Sequence, residues 1–234
     1  YGRKQLDTKL GARANMFCSP FFQLGIDSPA KENSGDLLVG TLGWTGNFRF
    51  TFEVDHKGEL RVISGINPYA SSRILKKGET FSTPEFIFTL SDEGQGKASR
   101  NFHDWARDHQ LYKGNDTRMT LLNNWEATYF DFNEEKIVGL AKEAAALGIE
   151  LLVLDDGWFG RRNGDNCSLG DWYVNKEKLP SGIKGLAEKV NAEGVKFGLW
   201  FEPEMVSPDS DLYREHPDWC IHVNGRTRTE CRSQ

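Results

Sequence analysis

The first hundred residues show hydrophobic and polar positions that alternate as in half-buried β-strands. In residues 48–54, aromatic and aliphatic side chains occupy every second position, with charged or hydroxyl side chains between them. The polar segment 55–59 and the apolar segment 60–63 then predict a turn and a returning strand, which together make a hairpin. Further strands are expected at residues 36–44 and 85–90, so this part of the chain is predicted to be a β domain.

The chain changes character near residue 115, and its hydrophobic period switches from Met119 onward. A helix at residues 99–111 is expected to connect the two regions. Beyond it, apolar residues recur with the 3.6-residue period of helices or as the continuous runs typical of buried strands. The predicted elements are a strand at 119–129, a helix at 133–147, a strand at 149–154, a helix at 183–192 and a strand at 195–201. This alternation of strands and helices implies parallel βαβ units.

The fold class predicted from these patterns is a β region followed by the start of a (β/α)8 barrel. Only three parallel strands are predicted, whereas a closed barrel has eight, so a barrel begun by this chain would be truncated. This truncated barrel is the favoured fold. An open doubly wound sheet is the alternative. No glycine-rich phosphate-binding motif follows any strand, however, and nucleotide binding is therefore not expected. The corresponding domain ranges are 1–117 and 118–234.

Composition and charge narrow the possible partners. The net charge of −5 argues against nucleic acid, whose binding needs clustered Lys and Arg. No apolar run is long enough for a membrane span, so a membrane partner is not expected.

The sequence begins without a secretory leader or Met and is interpreted as part of a longer or processed protein. Four cysteines without C-x-x-C spacing predict a reduced, cytoplasmic setting. Seven Trp and 24 Gly residues favour a carbohydrate ligand, because indole rings cover the apolar faces of sugars.

Polar and aromatic residues follow all three predicted parallel strands, at residues 123–126, 155–158 and 200–204. Because ligands of parallel α/β folds bind beyond the carboxyl ends of the strands, these residues are expected to converge at one rim. Carboxylates accept hydrogen bonds from hydroxyl groups, so the acidic rim suits a neutral polyhydroxylated ligand better than a phosphate. A plain core role for Trp125 and Trp200 is the alternative.

The adjacent carboxylates Asp155 and Asp156 end a buried apolar strand and need partners, because an unpaired buried charge is costly. Two explanations remain open. The first is a helix N-cap or a salt bridge to Arg161 or Arg162, and the second is a ligand-binding site. Two acids followed by Gly-Trp favour the ligand-binding site.

Other acidic residues near the rim allow two further interpretations. A metal site with Asp165 and Asp171 is less favoured, since no His joins them and their spacing matches no calcium loop. Glu202 and Glu204 are two neighbouring carboxylates, and by residue type alone they could form the catalytic carboxylate pair of a glycosidase. The intervening Pro203 interrupts the strand and makes one of them more suited to a structural role.

Several long motifs of the sequence are similar to those of one enzyme family. They include LDDGWFG at 154–160, SLGDW at 168–172, FGLWFEPEMV at 197–206 and HPDW at 216–219. Through these motifs, and through YGRK at 1–4 and NWEA at 124–127, the chain resembles glycoside hydrolase family 36, the α-galactosidases. The resemblance implies an N-terminal β-supersandwich, a (β/α)8 catalytic barrel and a C-terminal β domain. This chain would contain the end of the first domain and the first three βα units of the second.

The resemblance also implies substrate-binding roles. Asp155 and Asp156 would hold the axial O4 and the O6 of galactose, and Trp125 and Trp200 would shape the sugar pocket. Arg232 would help to bind the sugar. It lies in CRSQ, where the family has Gly-Arg-Asn-Gln, so the chain departs from the family pattern on both sides of this arginine.

Catalytic residues are not expected within this chain. The family hydrolyses α-galactosides with retention, through a carboxylate nucleophile in a Lys-Trp-Asp motif and a later acid/base Asp. No Lys-Trp-Asp occurs here, so both groups are expected beyond residue 234, and the isolated chain is predicted to be inactive. The expected substrates are raffinose-type and melibiose-type sugars, without cofactor or metal, and the resemblance implies a homo-oligomer, often a tetramer. Two alternatives stay open: a non-catalytic galactoside-binding remnant, and a related specificity such as α-N-acetylgalactosaminidase or galactosyl transfer.

Overall fold

The computed structural model describes residues 2–9, 18–222 and 224–228. The chain divides into two compact units, Tyr1–Asp116 and Thr117–Gln234. The first is built of antiparallel strands and the second of parallel strands with helices, which confirms the predicted order of a β region followed by βα units. Within the described ranges, no helix has the length and apolar character needed to cross a membrane.

The described part of the first unit contains two three-stranded antiparallel sheets, in the strand orders β1-β4-β5 and β2-β3-β6. The strands are β1 (Gly2–Asp7), β2 (Phe21–Gly25), β3 (Leu37–Leu42), β4 (Phe48–Val54), β5 (Leu60–Ile66) and β6 (Phe86–Ser91). Side chains from both sheets share one buried cluster, formed by Phe22, Leu42, Phe48 and Phe50. The two sheets of this unit therefore pack against each other through these four side chains.

The predicted hairpin is confirmed. β4 and β5 pair antiparallel along their full length, and the alternate residues Phe48 and Phe50 are completely buried. The turn is held by Asp55, whose Oδ1 accepts hydrogen bonds from the backbone N–H groups of Lys57 and Glu59 at 2.8 and 3.0 Å. A period-two pattern followed by an Asp-containing turn is thus sufficient to specify this element.

The helix after β6 begins earlier than predicted, at residue 94 instead of 99. Helix α1 spans Gly94–Trp105 and continues as a π-helical turn, Ala106–Gln110. Gly94 and Gly96 concealed this start in the sequence, because glycine is a poor helix former. A Cβ at Gly94 would lie 2.4 Å from the carbonyl oxygen of Lys31. Close contact with another loop therefore requires glycine at the beginning of α1.

The second unit contains a three-stranded parallel sheet in the order β7-β8-β9. Its elements are β7 (Leu121–Asn123), α2 (Trp125–Thr128), α3 (Glu134–Ala146), β8 (Leu151–Leu154), α4 (Gly182–Ala192), β9 (Lys196–Leu199), α5 (Asp211–Glu215) and a 3₁₀ turn (Pro217–Trp219). Completely buried side chains of α3, β8 and α4 share one hydrophobic core, represented by Ile137, Leu152, Leu154, Leu186 and Val190. The predicted strand–helix–strand–helix–strand order is therefore confirmed.

The strand predicted over residues 119–129 is wrong over most of its length. β7 contains only Leu121–Asn123, and a short helix follows it. The side-chain oxygen of Asn123 accepts a hydrogen bond from the backbone N–H of Trp125 at 2.7 Å. Such local bonds from an Asn side chain compete with strand pairing and turn the chain. Trp125 therefore stands on a helical turn at the end of β7.

The predicted helix at 133–147 is confirmed as α3, and its first turn is linked to α4. Asn133 caps α3 with its side chain. The buried carboxylate of Glu134 accepts hydrogen bonds from the backbone N–H and hydroxyl of Ser181, at 2.9 and 2.7 Å, and from Nζ of Lys189. Burial raises the pKa of Glu134, but the hydrogen bonds from Lys189 and Ser181 outweigh burial, and the pKa lies below its ordinary value.

Replacing Glu134 by Gln is expected to lower the free energy of unfolding by about 2 kcal/mol near pH 7, because the charge-assisted bond to Lys189 is lost. Folding lowers the pKa of Glu134, so its contribution is fully present above the ordinary value of 4.5. The contribution disappears as the pH falls through the lower pKa of the folded state. Urea unfolding of wild type and variant, at about pH 7 and about pH 3.5, measures this difference, which should shrink at the lower pH.

The matched control is Glu135→Gln, because Glu135 is the exposed neighbour in the same helical turn. This control should change the stability little at either pH. Equal destabilisation by the two substitutions would contradict the role given to Glu134.

Candidate functional site

A cavity of about 360 Å³ lies at the carboxyl ends of the three parallel strands. Its volume falls in the lower part of the range of small-molecule sites. The lining side chains are Trp125, Asp155, Asp156, Asp165, Trp200, Phe201, Glu202 and Glu204. The structure thus brings together Trp125, Asp155, Asp156 and Trp200, four of the residues proposed from the sequence. The fifth, Arg232, lies outside the described residues.

Asp155 is held by the end of the neighbouring strand. Its Oδ2 accepts a hydrogen bond from the side-chain amide of Asn123 at 2.5 Å, and its Oδ1 accepts from the backbone N–H of Asp156 at 2.7 Å. Its own backbone N–H donates to the side-chain oxygen of Asn124 at 2.7 Å. Asn123, the last residue of β7, and Asn124, which follows it, therefore determine where the first carboxylate of the pair stands.

Asp156 is paired with a completely buried arginine. Nε of Arg162 donates to both carboxylate oxygens, at 2.9 Å to Oδ1 and 3.1 Å to Oδ2, and Nη2 donates to Oδ2 at 2.8 Å. Arg162 is 0% exposed and Asp156 is 6% exposed, so either charge alone would be costly here. The salt-bridge interpretation is therefore correct for Asp156, and the same carboxylate also lines the cavity. Arg161 instead pairs with Asp209 at 3.2 Å.

Gly157 and Lys178 hold the loop that carries Arg162. Gly157 has a φ of 97°, and a Cβ there would lie 2.9 Å from the ring of Phe130. Nζ of Lys178 donates to the backbone carbonyls of Phe130, Gly157 and Arg162 at 2.9, 3.1 and 3.3 Å. Burial lowers the pKa of Lys178, although the negative charge of Asp156 opposes the shift. One ammonium group thus ties together three backbone positions behind the cavity.

Trp125 and Trp200 are both half-buried and stand at different strand ends. Trp125 makes edge-to-face contacts with Tyr129 and Phe130, at centroid distances of 5.2 and 5.0 Å. The carbonyl of Trp200 accepts a hydrogen bond from Nε1 of Trp158 at 3.1 Å, and the Trp200 side chain packs against the hydrophobic core. Both indoles therefore contribute to packing and also form part of the cavity wall.

Four further residues line the cavity but were given no substrate-binding role from the sequence: Asp165, Phe201, Glu202 and Glu204. The last three follow β9 and belong to the segment 200–204, which the strand-end rule had placed at the rim. Glu202 is 6% exposed, whereas Phe201 is 51% exposed. Asp165 lies far along the loop after β8, where no local pattern indicates its position.

The two aspartates considered as metal ligands have separate surroundings. Asp165 lines the cavity. Oδ1 of Asp171 accepts hydrogen bonds from the backbone N–H groups of Asp211 and Leu212, at 2.9 and 3.1 Å, and so caps α5. In the part of the chain that the structure describes, no group of three or more His, Cys, Asp or Glu side chains is arranged to hold a metal ion.

The chemistry of the cavity suits a neutral ligand with many hydroxyl groups. Five of its lining side chains are carboxylates, which disfavour phosphate and other anions by charge repulsion. Carboxylate oxygens can accept hydrogen bonds from hydroxyl groups. The rings of Trp125, Trp200 and Phe201 offer flat apolar surfaces to the C–H faces of a sugar.

Sequence profiles of two domains match the chain. The melibiase profile matches residues 80–234, and the profile of the glycosyl hydrolase family 36 N-terminal domain matches residues 1–76. Strand β6 and helix α1 fall within the melibiase match although they belong to the first compact unit. The domain ranges proposed from the sequence, 1–117 and 118–234, stay a prediction.

Relatives of known sequence and structure are α-galactosidases. The chain is 50% identical over 236 residues to α-galactosidase AgaA of Geobacillus stearothermophilus, covering 100% of this chain and 32% of that protein. It is 45% identical over 218 residues to α-galactosidase Mel36A of Lactobacillus acidophilus, covering 92% and 30%. The crystal structure of AgaA superposes with a TM-score of 0.91 at 48% identity, over 99% of this chain and 32% of that one.

A variant of AgaA has been crystallised in complex with raffinose. The present chain spans about a third of the length of these relatives. The melibiase profile alone matches more than half of its residues, and the chain therefore belongs to the melibiases of glycoside hydrolase family 36.

Proposed function

We propose that this chain forms the galactose-binding side of the active site of a retaining α-galactosidase. The observation that carries the proposal is the pair of fixed carboxylates, Asp155 and Asp156, which share one cavity with Trp125 and Trp200. The names of its relatives support the proposal, because AgaA and Mel36A are both α-galactosidases.

Geometry allows this cavity to select galactose. Asn123 holds the carboxylate of Asp155, and Arg162 holds that of Asp156, so neither can follow a hydroxyl group placed elsewhere. Galactose and glucose differ in the orientation of one hydroxyl, O4. A fixed acceptor that reaches the axial O4 cannot reach an equatorial O4. The glucose complex therefore lacks this hydrogen bond, which reduces its affinity.

The proposed substrates are α-galactoside oligosaccharides of the raffinose and melibiose type. Raffinose is the ligand of the AgaA variant. A retaining glycosidase also needs a nucleophile and an acid/base on the two sides of the scissile bond. We assign neither role to a residue of this chain. The cytoplasmic location and the homo-oligomeric state stay predictions from the sequence.

The purified protein is expected to bind galactose at least about tenfold more tightly than glucose. One hydrogen bond to a charged group contributes about 1.5 kcal/mol, which corresponds to about tenfold in affinity. Isothermal titration calorimetry with galactose, glucose and N-acetylgalactosamine measures this selectivity. Equal affinities for galactose and glucose would contradict the proposal, and tighter binding of N-acetylgalactosamine would favour the related α-N-acetylgalactosaminidase specificity.

A further inference from the structure

The carboxylate of Asp156 is held at both of its oxygens by one guanidinium group. Three N–H···O contacts, between 2.8 and 3.1 Å, join Nε and Nη2 of Arg162 to the two carboxylate oxygens. An ammonium group could supply the same positive charge, but it could not fix the plane of the carboxylate, because its charge is compact and its donors rotate.

Arg162 is itself immobilised. Its Nη1 donates to the backbone carbonyl of Cys167 at 2.9 Å. Its Cζ lies 5.8 Å from the centroid of the Phe130 ring, and its own carbonyl accepts a hydrogen bond from Lys178. The side chain is 0% exposed. Its guanidinium group can therefore change direction only if the surrounding loop moves.

The pair leaves Asp156 able to bind a ligand. A carboxylate oxygen has two acceptor positions, and Oδ1 of Asp156 accepts one contact from Arg162. A second acceptor position on Oδ1 is thus available for a hydroxyl group. Asp156 lines the cavity, whereas Arg162 does not. The two residues are therefore arranged as an inner acceptor and a supporting cation behind it.

We propose that Arg162 is a positioning residue for sugar recognition. Its planar contact orients the Asp156 carboxylate so that one oxygen accepts a hydrogen bond from a particular galactose hydroxyl. Selectivity for that hydroxyl then depends on the planar guanidinium contact, in addition to the charge. This inference rests on the proposed function, since it requires galactose to occupy the cavity.

The test compares galactose with 4-deoxygalactose and 6-deoxygalactose, each measured by calorimetry on wild type and Arg162→Lys. Wild type is expected to bind galactose about 10- to 100-fold more tightly than at least one of the two analogues. Arg162→Lys keeps the charge but loses the planar contact. It should bind galactose and that analogue with less than about threefold difference, while its affinity for the analogue stays close to that of wild type.

Arg161→Lys is the matched control, because Arg161 is adjacent in sequence but its side chain is 67% exposed. This control should keep the selectivity of wild type. A purely structural role of Arg162 would lower the affinities for all three sugars by one common factor. That result, or an unchanged selectivity in Arg162→Lys, would overturn the inference and leave the proposed function standing. If wild type itself does not distinguish galactose from either analogue, the proposed function fails and the inference fails with it.

A crystal structure of the wild-type protein with galactose decides the question if Arg162→Lys does not fold. An intact Arg162–Asp156 contact, with an Asp156 oxygen within hydrogen-bond distance of a galactose hydroxyl, supports the inference. An Asp156 carboxylate that has turned away from Arg162 to reach the sugar, or that touches no hydroxyl, overturns it.

Discussion

The purified 234-residue chain is expected to hydrolyse an aryl α-galactoside at less than about 10⁻³ s⁻¹, about four orders of magnitude below a typical enzyme turnover of about 10 s⁻¹. A retaining glycosidase needs a nucleophile and an acid/base, with carboxyl groups about 5–5.5 Å apart. Both oxygens of Asp156 already accept hydrogen bonds from Arg162. Both oxygens of Asp155 accept hydrogen bonds as well, from Asn123 and from the backbone N–H of Asp156. These contacts hold the pair in place to accept hydrogen bonds from a sugar. The Lys-Trp-Asp motif expected to carry the nucleophile does not occur in this chain.

The rate is measured as release of nitrophenol from p-nitrophenyl α-galactoside. Traces of a host enzyme could imitate activity, so the Asp156→Asn chain, purified in the same way, is the control. Equal residual rates in the two preparations identify a contaminant. Turnover by wild type that disappears in Asp156→Asn would contradict the expectation and show that this chain carries catalytic groups.

Asp156→Asn is expected to weaken both the fold and sugar binding. The substitution leaves the completely buried Arg162 without its counter-charge, and removal of one partner of such a pair costs about 3 kcal/mol or more. The amide also replaces one acceptor oxygen by a donor, so a galactose hydroxyl loses a charged partner. Galactose affinity is therefore expected to fall by about 10- to 100-fold. In an active enzyme that contains this chain, kcat/KM for α-galactosides should fall by a similar factor or more.

Asp131→Asn is the matched control for this substitution. Asp131 also pairs with a cation, Lys136 at 3.1 Å, but its side chain is 97% exposed. Such exposed pairs contribute about 0–1 kcal/mol, so stability and galactose affinity should change little. Thermal unfolding and calorimetry of both variants provide the comparison. Unchanged galactose affinity in a folded Asp156→Asn variant would remove Asp156 from the binding site.

Local patterns were sufficient for much of the fold. The alternation in β4, the cap and apolar period of α3 and the continuous apolar run of β8 each describe one element without reference to the rest of the chain. The strand predicted over 119–129 was wrong because an Asn side chain formed a local hydrogen bond that turned the chain after Asn123. The start of α1 was missed because its glycines are explained only by contact with a distant loop.

In the candidate site as well, the sequence indicated some features and left others undecided. Asp155, Asp156, Trp125 and Trp200 could be proposed because each follows closely on a recognisable strand, and parallel strands present their carboxyl ends together. For a salt bridge to the Asp pair, the sequence offered two adjacent arginines, Arg161 and Arg162, and no sequence pattern distinguished them. Burial of Arg162 and exposure of Arg161 made that choice.

The sequence by itself determined the order of elements, the family and the residues at the strand ends, because these depend on short-range periodicity and contiguous motifs. The tertiary structure alone decided that Asp165 joins the cavity, that Asp171 caps a helix instead, and that Lys178 holds the loop behind Asp156. These contacts depend on the path of the loop after β8. That path is determined by hydrogen bonds to residues distant in the chain, which leave no periodic signal in the sequence.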